Sequence, residues 1–249
     1  MGETLADKNQ QYWNQASHSV FKDKWVHDLQ KQISEFLTSH IDWIGVQQAP
    51  NGQAQCIGVD LANTMLDKYR ATAVDLGLSD SRMTAVQGDL LAPVVQPTTP
   101  ALSEEELGGF DLVAICMALH HVDDVELATK RLAERLRPGG VLLIIDWATR
   151  NSSEGAEQQH HPTLSALSGN HQYRHAHHHG HGNTHGEVSP IHPAARTISH
   201  DSFTQEQIVG LFHQADCGES RFQLADRLSD VPGARTGKMQ LFWARATKL

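Results

Sequence analysis

The chain has 249 residues, 39% hydrophobic and 20% charged, which suits one substantial core and is too apolar for wholesale disorder. Its formal net charge of −9 argues against a broad nucleic-acid footprint, since phosphate binding needs clustered Lys and Arg. Cys56, Cys116 and Cys217 are odd in number and far apart, with no CxxC spacing to suggest a disulfide framework or a zinc site, so no metal is expected. No stretch approaches the roughly 20 apolar residues of a membrane span, and MGETLADKNQQYWNQ lacks the apolar core of a secretory signal. A cytoplasmic location is the expectation.

Residues 10–45 read as an N-terminal helical segment. Val20, Phe21, Trp25, Val26, Leu29, Ile33, Phe36 and Leu37 recur at threes and fours, predicting one amphipathic helix over 19–41. IDWIGVQQAPNGQA then reads as a connection, with Pro50, Asn51 and Gly52 as turn formers. QCIGVD at 55–60 is a short apolar run ending in an acid, a strand, and LANTMLDKYRATAVDLGL continues as a helix that Gly77 is placed to stop.

MTAVQGDLL at 83–91 predicts the next strand and its exit loop, and 92–109 a Pro-, Thr- and Glu-rich surface loop. FDLVAICMALHHV begins as a strongly apolar strand. VELATKRLAERLRPGG predicts a helix ending at Pro138, Gly139 and Gly140 before the buried strand VLLIIDWA. Strand and helix in alternation predict α/β architecture, a parallel sheet with helices on both faces.

Residues 151–200 differ in kind. Eleven histidines fall between His160 and His200, densest in HAHHHGHG at 175–182, the mark of a low-complexity insertion. His175, His177 and His179 could gather a soft divalent metal, but no acid or cysteine shares the cluster to fix a geometry, so a polar loop is the stronger reading. FTQEQIVGLFHQADC then predicts an amphipathic helix with a Thr204–Gln207 capping box, and RFQLADRL and MQLFWARATKL two closing strands around a hairpin loop.

In an open α/β sheet, ligands bind beyond the carboxyl ends of the strands, where strand order reverses, so acids at strand ends matter. Asp60 ends one strand, from where a carboxylate can accept both hydroxyls of a ribose; it could equally cap the following helix. Asp89, after Gly88, could sit beside an adenine ring or serve as an ordinary turn acid.

The ordered set of Asp60, Gly88-Asp89, FDLVAICMALHHV and LRPGGVLLIID resembles the class I S-adenosylmethionine-dependent methyltransferases, nearest the ubiquinone/menaquinone-biosynthesis type, across roughly residues 10–150 and again 200–249. The resemblance implies a single Rossmann-like domain closed by an antiparallel C-terminal hairpin. It implies S-adenosylmethionine as cofactor and a small-molecule methyl acceptor as partner. Asp60 would take the ribose, with Leu61 and Met65 beside it; Gly88, Asp89 and Leu90 would flank the adenine; Cys116 and Met117 would wall the cofactor. His120 and His121 would stand at the mouth of the site as candidate catalytic bases, because an imidazole titrates near neutrality; either could also merely cap the next turn.

One element of the pattern is not in the sequence. The family's glycine-rich loop should precede the ribose acid by roughly 20 residues. SEFLTSHIDWIGV stands there instead, with only Gly45 and Gly52 nearby and no G-x-G before the acid. The first strand, its loop and the helix after it are therefore expected to be absent, unless IDWIGV itself supplies the strand; a repurposed chain and a transcript lacking one internal segment are the other accounts. Two further readings stay open: a non-catalytic binding or regulatory protein, and a nicotinamide-dependent oxidoreductase, for which Asp60 would also suit the ribose but no Tyr-x-x-x-Lys pair is present.

Overall fold

A computed structural model describes residues 2–46, 54–92, 97–150 and 196–249. The histidine-dense run at 175–182 therefore lies outside the described residues, and with it the metal reading of His175, His177 and His179.

The N-terminal segment is two helices before a short third, where one long helix was predicted. α1 (Leu5–Val20) starts at a capping box between Thr4 and Asp7, α2 (Lys24–Ser39) follows, and α3 (Ile41–Ile44) ends on Gly45 at φ 80°. The predicted stripe is interrupted by a turn at 21–23 that holds Phe21 itself, where the Lys22 and Asp23 N–H groups bond back to Ser19 and Val20 carbonyls. Because α3 is helical from Ile41 to Ile44, IDWIGV does not supply a strand.

The remaining elements come in chain order: β1 (Cys56–Asp60), α4 (Asn63–Asp75), β2 (Met83–Gln87), β3 (Phe110–Cys116), α5 (Val125–Ala133), β4 (Leu136–Ala148), α6 (Gln205–Gln214), β5 (Cys217–Asp230) and β6 (Lys238–Lys248). α5 ends earlier than predicted. Arg-Pro-Gly-Gly at 137–140 belongs to β4 at a register irregularity opposite Phe110, and the Phe110 N–H is taken by the Arg135 carbonyl. Pro138, which cannot donate to a ladder, is tolerated at such an irregularity.

The strands form two sheets. β1 and β2 pair in parallel, with Asp60 opposite Gln87; the other sheet runs β3-β4-β6-β5, parallel between β3 and β4 and antiparallel through the β5–β6 hairpin.

The four-stranded sheet is the centre of the core. Successive β4 side chains alternate between its faces. Leu142 and Ile144 pack with Ile208, Leu211 and Phe212 of α6 and Ala128 of α5. Leu143, Ile145 and Trp147 pack with Leu29 and Phe36 of α2 and with Trp243. Helices therefore cover both faces, and strands buried on both sides read as the continuous apolar runs VLLII and LFWA. Phe36 stacks on Trp243 with centroids 4.2 Å apart, fixing α2 to the sheet.

Candidate functional site

The carboxyl ends of β1, β2, β3 and β4 and the N-terminal helix α1 converge on one cavity of about 2280 Å³. α1 lies across these ends as a strap. Gln10 Nε2 donates to the Leu61 carbonyl beyond β1 (2.9 Å), while the neighbouring Asn9 Nδ2 donates to the His121 carbonyl beyond β3 (3.4 Å) and to Thr197 (3.2 Å). Two adjacent residues of one helix thus fix the tips of both sheets on the same side of the molecule.

On the small sheet, Asp60 and Asp89 stand at adjacent strand tips. The Gly88 N–H donates to the Asp60 carbonyl (3.1 Å), continuing the parallel ladder one residue past β2. Glycine lets the two loops approach there, because a Cβ at Gly88 would fall 2.8 Å from the Thr98 methyl and force that side chain to shift. The Asp60 carboxylate accepts the Ala62 N–H (2.7 Å), and the residue at the helix cap position is Ala62, without a side-chain cap. Asp60 therefore shapes the turn between strand and helix without capping α4. Burial pushes its carboxyl up, against a downward pull from the Ala62 and Leu61 N–H groups. Asp89 accepts the Leu91 N–H (2.9 Å), shaping the second loop in the same way. Leu61, Met65, Gly88 and Leu90 line the cavity beside them.

On the large sheet, β3 leads to Cys116 and Met117. Met117 has φ 54°, the left-handed region that a non-glycine residue rarely adopts, and its N–H is held by the Ile145 carbonyl (2.8 Å). Strain of this kind is tolerated where surrounding contacts over-determine the backbone. Cys116 lines the cavity, and loss of solvation around its thiol, with Asp146 adding to the effect, pushes it up to about 12. It is a wall, with little thiolate to react.

A tight 3-10 turn then presents Leu119, His120 and His121. The His120 Nδ1 lies 2.7 Å from Asp146 Oδ1, and its backbone N–H donates to Asp146 Oδ2 (3.1 Å). Asp146 is fully buried two residues before the end of β4 and also accepts the Trp147 N–H (2.8 Å). A carboxylate only accepts, so the pairing assigns the proton to His120 Nδ1 and leaves Nε2 as a lone-pair acceptor. His121 is held likewise: its Nδ1 is 2.7 Å from the Thr197 carbonyl and must donate to it. Burial, then the neighbouring His120, pushes the His121 imidazole down to about 4, outweighing the Thr197 carbonyl and Asp146. The two rings lie 4.1 Å apart, and Trp13 of α1 meets His121 edge-on at 5.6 Å.

The structure thus brings together every residue that the resemblance assigned to the cofactor or to catalysis: Asp60, Leu61, Met65, Gly88, Asp89, Leu90, Cys116, Met117, His120 and His121 all line this cavity. Sequence reasoning did not single out Asp146, although the acid ending VLLIID was a visible signal of the same kind as Asp60. Asn9, Trp13 and Thr197 left no such signal. Among the described residues no group of three or more His, Cys, Asp or Glu could hold a metal ion, and no helix is long and apolar enough to cross a membrane.

Residues 43–142 match the family model of a methyltransferase domain. No curated protein matches the chain in sequence. Among solved structures, the magnesium protoporphyrin IX methyltransferase ChlM from Synechocystis PCC 6803 with bound SAH aligns at a TM-score of 0.56 with 12% identity, over 97% of this chain and 99% of that one. A candidate sarcosine dimethylglycine methyltransferase from Galdieria sulphuraria aligns at 0.53 with 14% identity, over 88% and 86%. The chain shares the Rossmann-like α/β fold of these proteins.

Proposed function

We propose that this chain uses S-adenosylmethionine to methylate a small-molecule acceptor. The observation that carries the reading is the placement of the Asp60 and Asp89 tips and the Asp146-held His120 on the walls of one cavity. The methyltransferase-domain match and the shared fold support it, and the Synechocystis neighbour carries SAH.

The residues present suit the nucleoside half of the cofactor. Asp60, a carboxylate at a strand tip, suits two ribose hydroxyls; Asp89 and Leu90 offer a polar edge and an apolar face to adenine; Met65, Cys116 and Met117 supply an apolar wall. For the charged methionyl half, the described residues bring no glycine-rich loop to the cavity, and that half must be held by other groups. The cofactor supplies an electrophilic methyl on its sulfonium. The chain's part is to orient the acceptor and take its proton: Asp146 fixes the His120 tautomer so that Nε2 can accept a proton from an acceptor hydroxyl or amine. His121, uncharged above its depressed pKa, keeps the mouth of the cavity free of a positive charge that would repel the sulfonium. Holding a cofactor without turnover, as a binding or regulatory protein, is the outcome that distinguishes the rival.

Calorimetric titration with S-adenosylmethionine tests the binding step. Micromolar affinity, weakened about tenfold or more by Asp60→Ala, is expected; no measurable binding overturns the reading. Turnover, once an acceptor is found, should fall about 10²–10⁴-fold in His120→Gln with cofactor affinity little changed. Normal cofactor binding with no acceptor among broad panels of phenols, amines and carboxylic acids would favour the non-catalytic rival.

A further inference from the structure

The cavity extends past the reaction centre, over the face of the large sheet that α2 covers. Met117, two residues before the turn that presents His120, forms its floor together with Trp147 of β4, Met239 of β6 and Val231 just past β5; Trp25 and Leu29 of α2 stand over them. The same six side chains belong to one apolar cluster, with Leu29 and Trp147 buried and the other four half-buried against them. Apolar side chains that pack on one another and still line open space make room for an apolar guest. From β3 to β5 the sheet takes three strand-to-strand steps of about 4.8 Å, so this lobe is at least about 14 Å long.

Trp25 and Pro232 close the far end. Both also line a second, smaller cavity of about 440 Å³, whose other walls are Asp23, Lys24, Asp28 and Asp230. Those charges are paired and solvated, Lys24 with Asp28 at 2.5 Å and Asp230 with Lys238 at 2.7 Å. Trp25 therefore has the apolar floor on one side and charged groups on the other, where a hydrocarbon tail gains nothing by entering. Arg150, Arg235 and Lys238 also line the large cavity, but they are exposed at its rim and none belongs to the apolar floor.

We propose that this lobe takes the apolar body of the methyl acceptor, with its nucleophile at His120, and that Trp25 is the specificity-determining end wall that limits the acceptor's length. The acceptor class is then a compact apolar hydroxyl or amine compound with no charge on its body, and a long-chain lipid is excluded. The identity of the guest rests on the methyl-transfer reading, whereas its size and polarity rest on the walls of the lobe.

Linear para-alkylphenols with tails from methyl to dodecyl, titrated calorimetrically into the full chain, probe the lobe. Affinity should rise about fourfold with each methylene while the tail is being buried, then level off or fall at a break within the series. Trp25→Ala should carry that break to longer tails and Trp25→Phe should leave it in place, a pattern that a general loosening of α2 does not produce. Met239→Trp, which fills the lobe from its floor, should move the break to shorter tails. Affinity that climbs without a break as far as dodecyl, or no binding anywhere in the series, overturns the proposal in the unaltered chain, whatever the folding of the variants. A break that folded Trp25→Ala leaves unmoved overturns it as well. S-adenosylmethionine, titrated separately, keeps the two readings apart. A break without cofactor binding overturns methyl transfer and leaves Trp25 as the wall, whereas cofactor binding without a break overturns the wall and leaves methyl transfer standing.

Discussion

The two sheets of this molecule are made of similar strands but live in different surroundings. In β4, every residue from Val141 to Ala148 is buried, and in β6 every residue from Leu241 to Ala246. In β1 no residue is fully buried, and in β2 only Val86 is. The large sheet is sealed by α2 on one face and by α5 and α6 on the other, whereas the small sheet leans on α4 and the strap α1. The difference separates two duties. The buried sheet supplies the stability, and the small sheet, with an open edge and short loops shaped by Asp60 and Asp89, supplies half of the cavity's polar rim.

The largest test of this division is truncation of core residues on either side. Phe242→Ala, in the centre of the large sheet, should cost about 3–5 kcal/mol in urea unfolding, and Leu66→Ala, under the small sheet, about 2 kcal/mol. Equal losses, or a larger one for Leu66→Ala, would erase the comparison. Gly88→Ala forces a methyl to within 2.8 Å of the Thr98 side chain and should cost about 1–3 kcal/mol. Nuclear magnetic resonance should place the resulting shifts in β1, β2 and the Asp89 loop, with β4 and β6 unmoved.

A smaller effect follows from the junction between the sheets. Folding lowers the His121 pKa from its ordinary 6.5 to about 4, so between those values the unfolded chain binds a proton that the folded chain does not. This contribution is therefore fully present above about pH 6.5 and lost as pH falls toward 4. Between pH 7 and pH 5 it amounts to about 1–2 kcal/mol, and His121→Gln should flatten the unfolding profile over that window by the same amount. Smallest is the strap itself. Asn9→Ala removes the amide that donates to Leu5, His121 and Thr197, but it also removes a buried Oδ1 that has no partner among the described residues, so a net cost of about 0.5–1.5 kcal/mol is expected in thermal unfolding.

Much of this was legible in the residues. Strands buried on both faces announce themselves as unbroken apolar runs, as VLLII of β4 and LFWA of β6 do, and FDLVAIC also falls in a strand of the large sheet although β3 at its edge is mostly not buried. The Thr204–Gln207 capping box was equally plain, since its signal lies within four consecutive residues. Asp60 and Asp89 were visible because an acid closing an apolar run is conspicuous. The break at 21–23 was not, because the apolar spacing continues across it and only the local hydrogen bonding of Lys22 and Asp23 shows the turn. The start of β4 at Leu136 escaped for a related reason: Pro138, Gly139 and Gly140 read as a stop, and only the partner strand at Phe110 makes them an irregularity inside a strand.

The sequence by itself determined the α/β class and the order of strands and helices from residue 55 onward, and nominated the strand-end acids, because periodicity and strand-end acids are local properties of the chain. Only the tertiary structure decided that β1 and β3 share a cavity without pairing, that Asp146 rather than solvent holds His120, and that α1 ties both strand tips together. Those facts depend on groups far apart in the sequence meeting in space, as Gln10 meets Leu61, Asn9 meets His121 and His120 meets Asp146, and no local pattern encodes such a meeting.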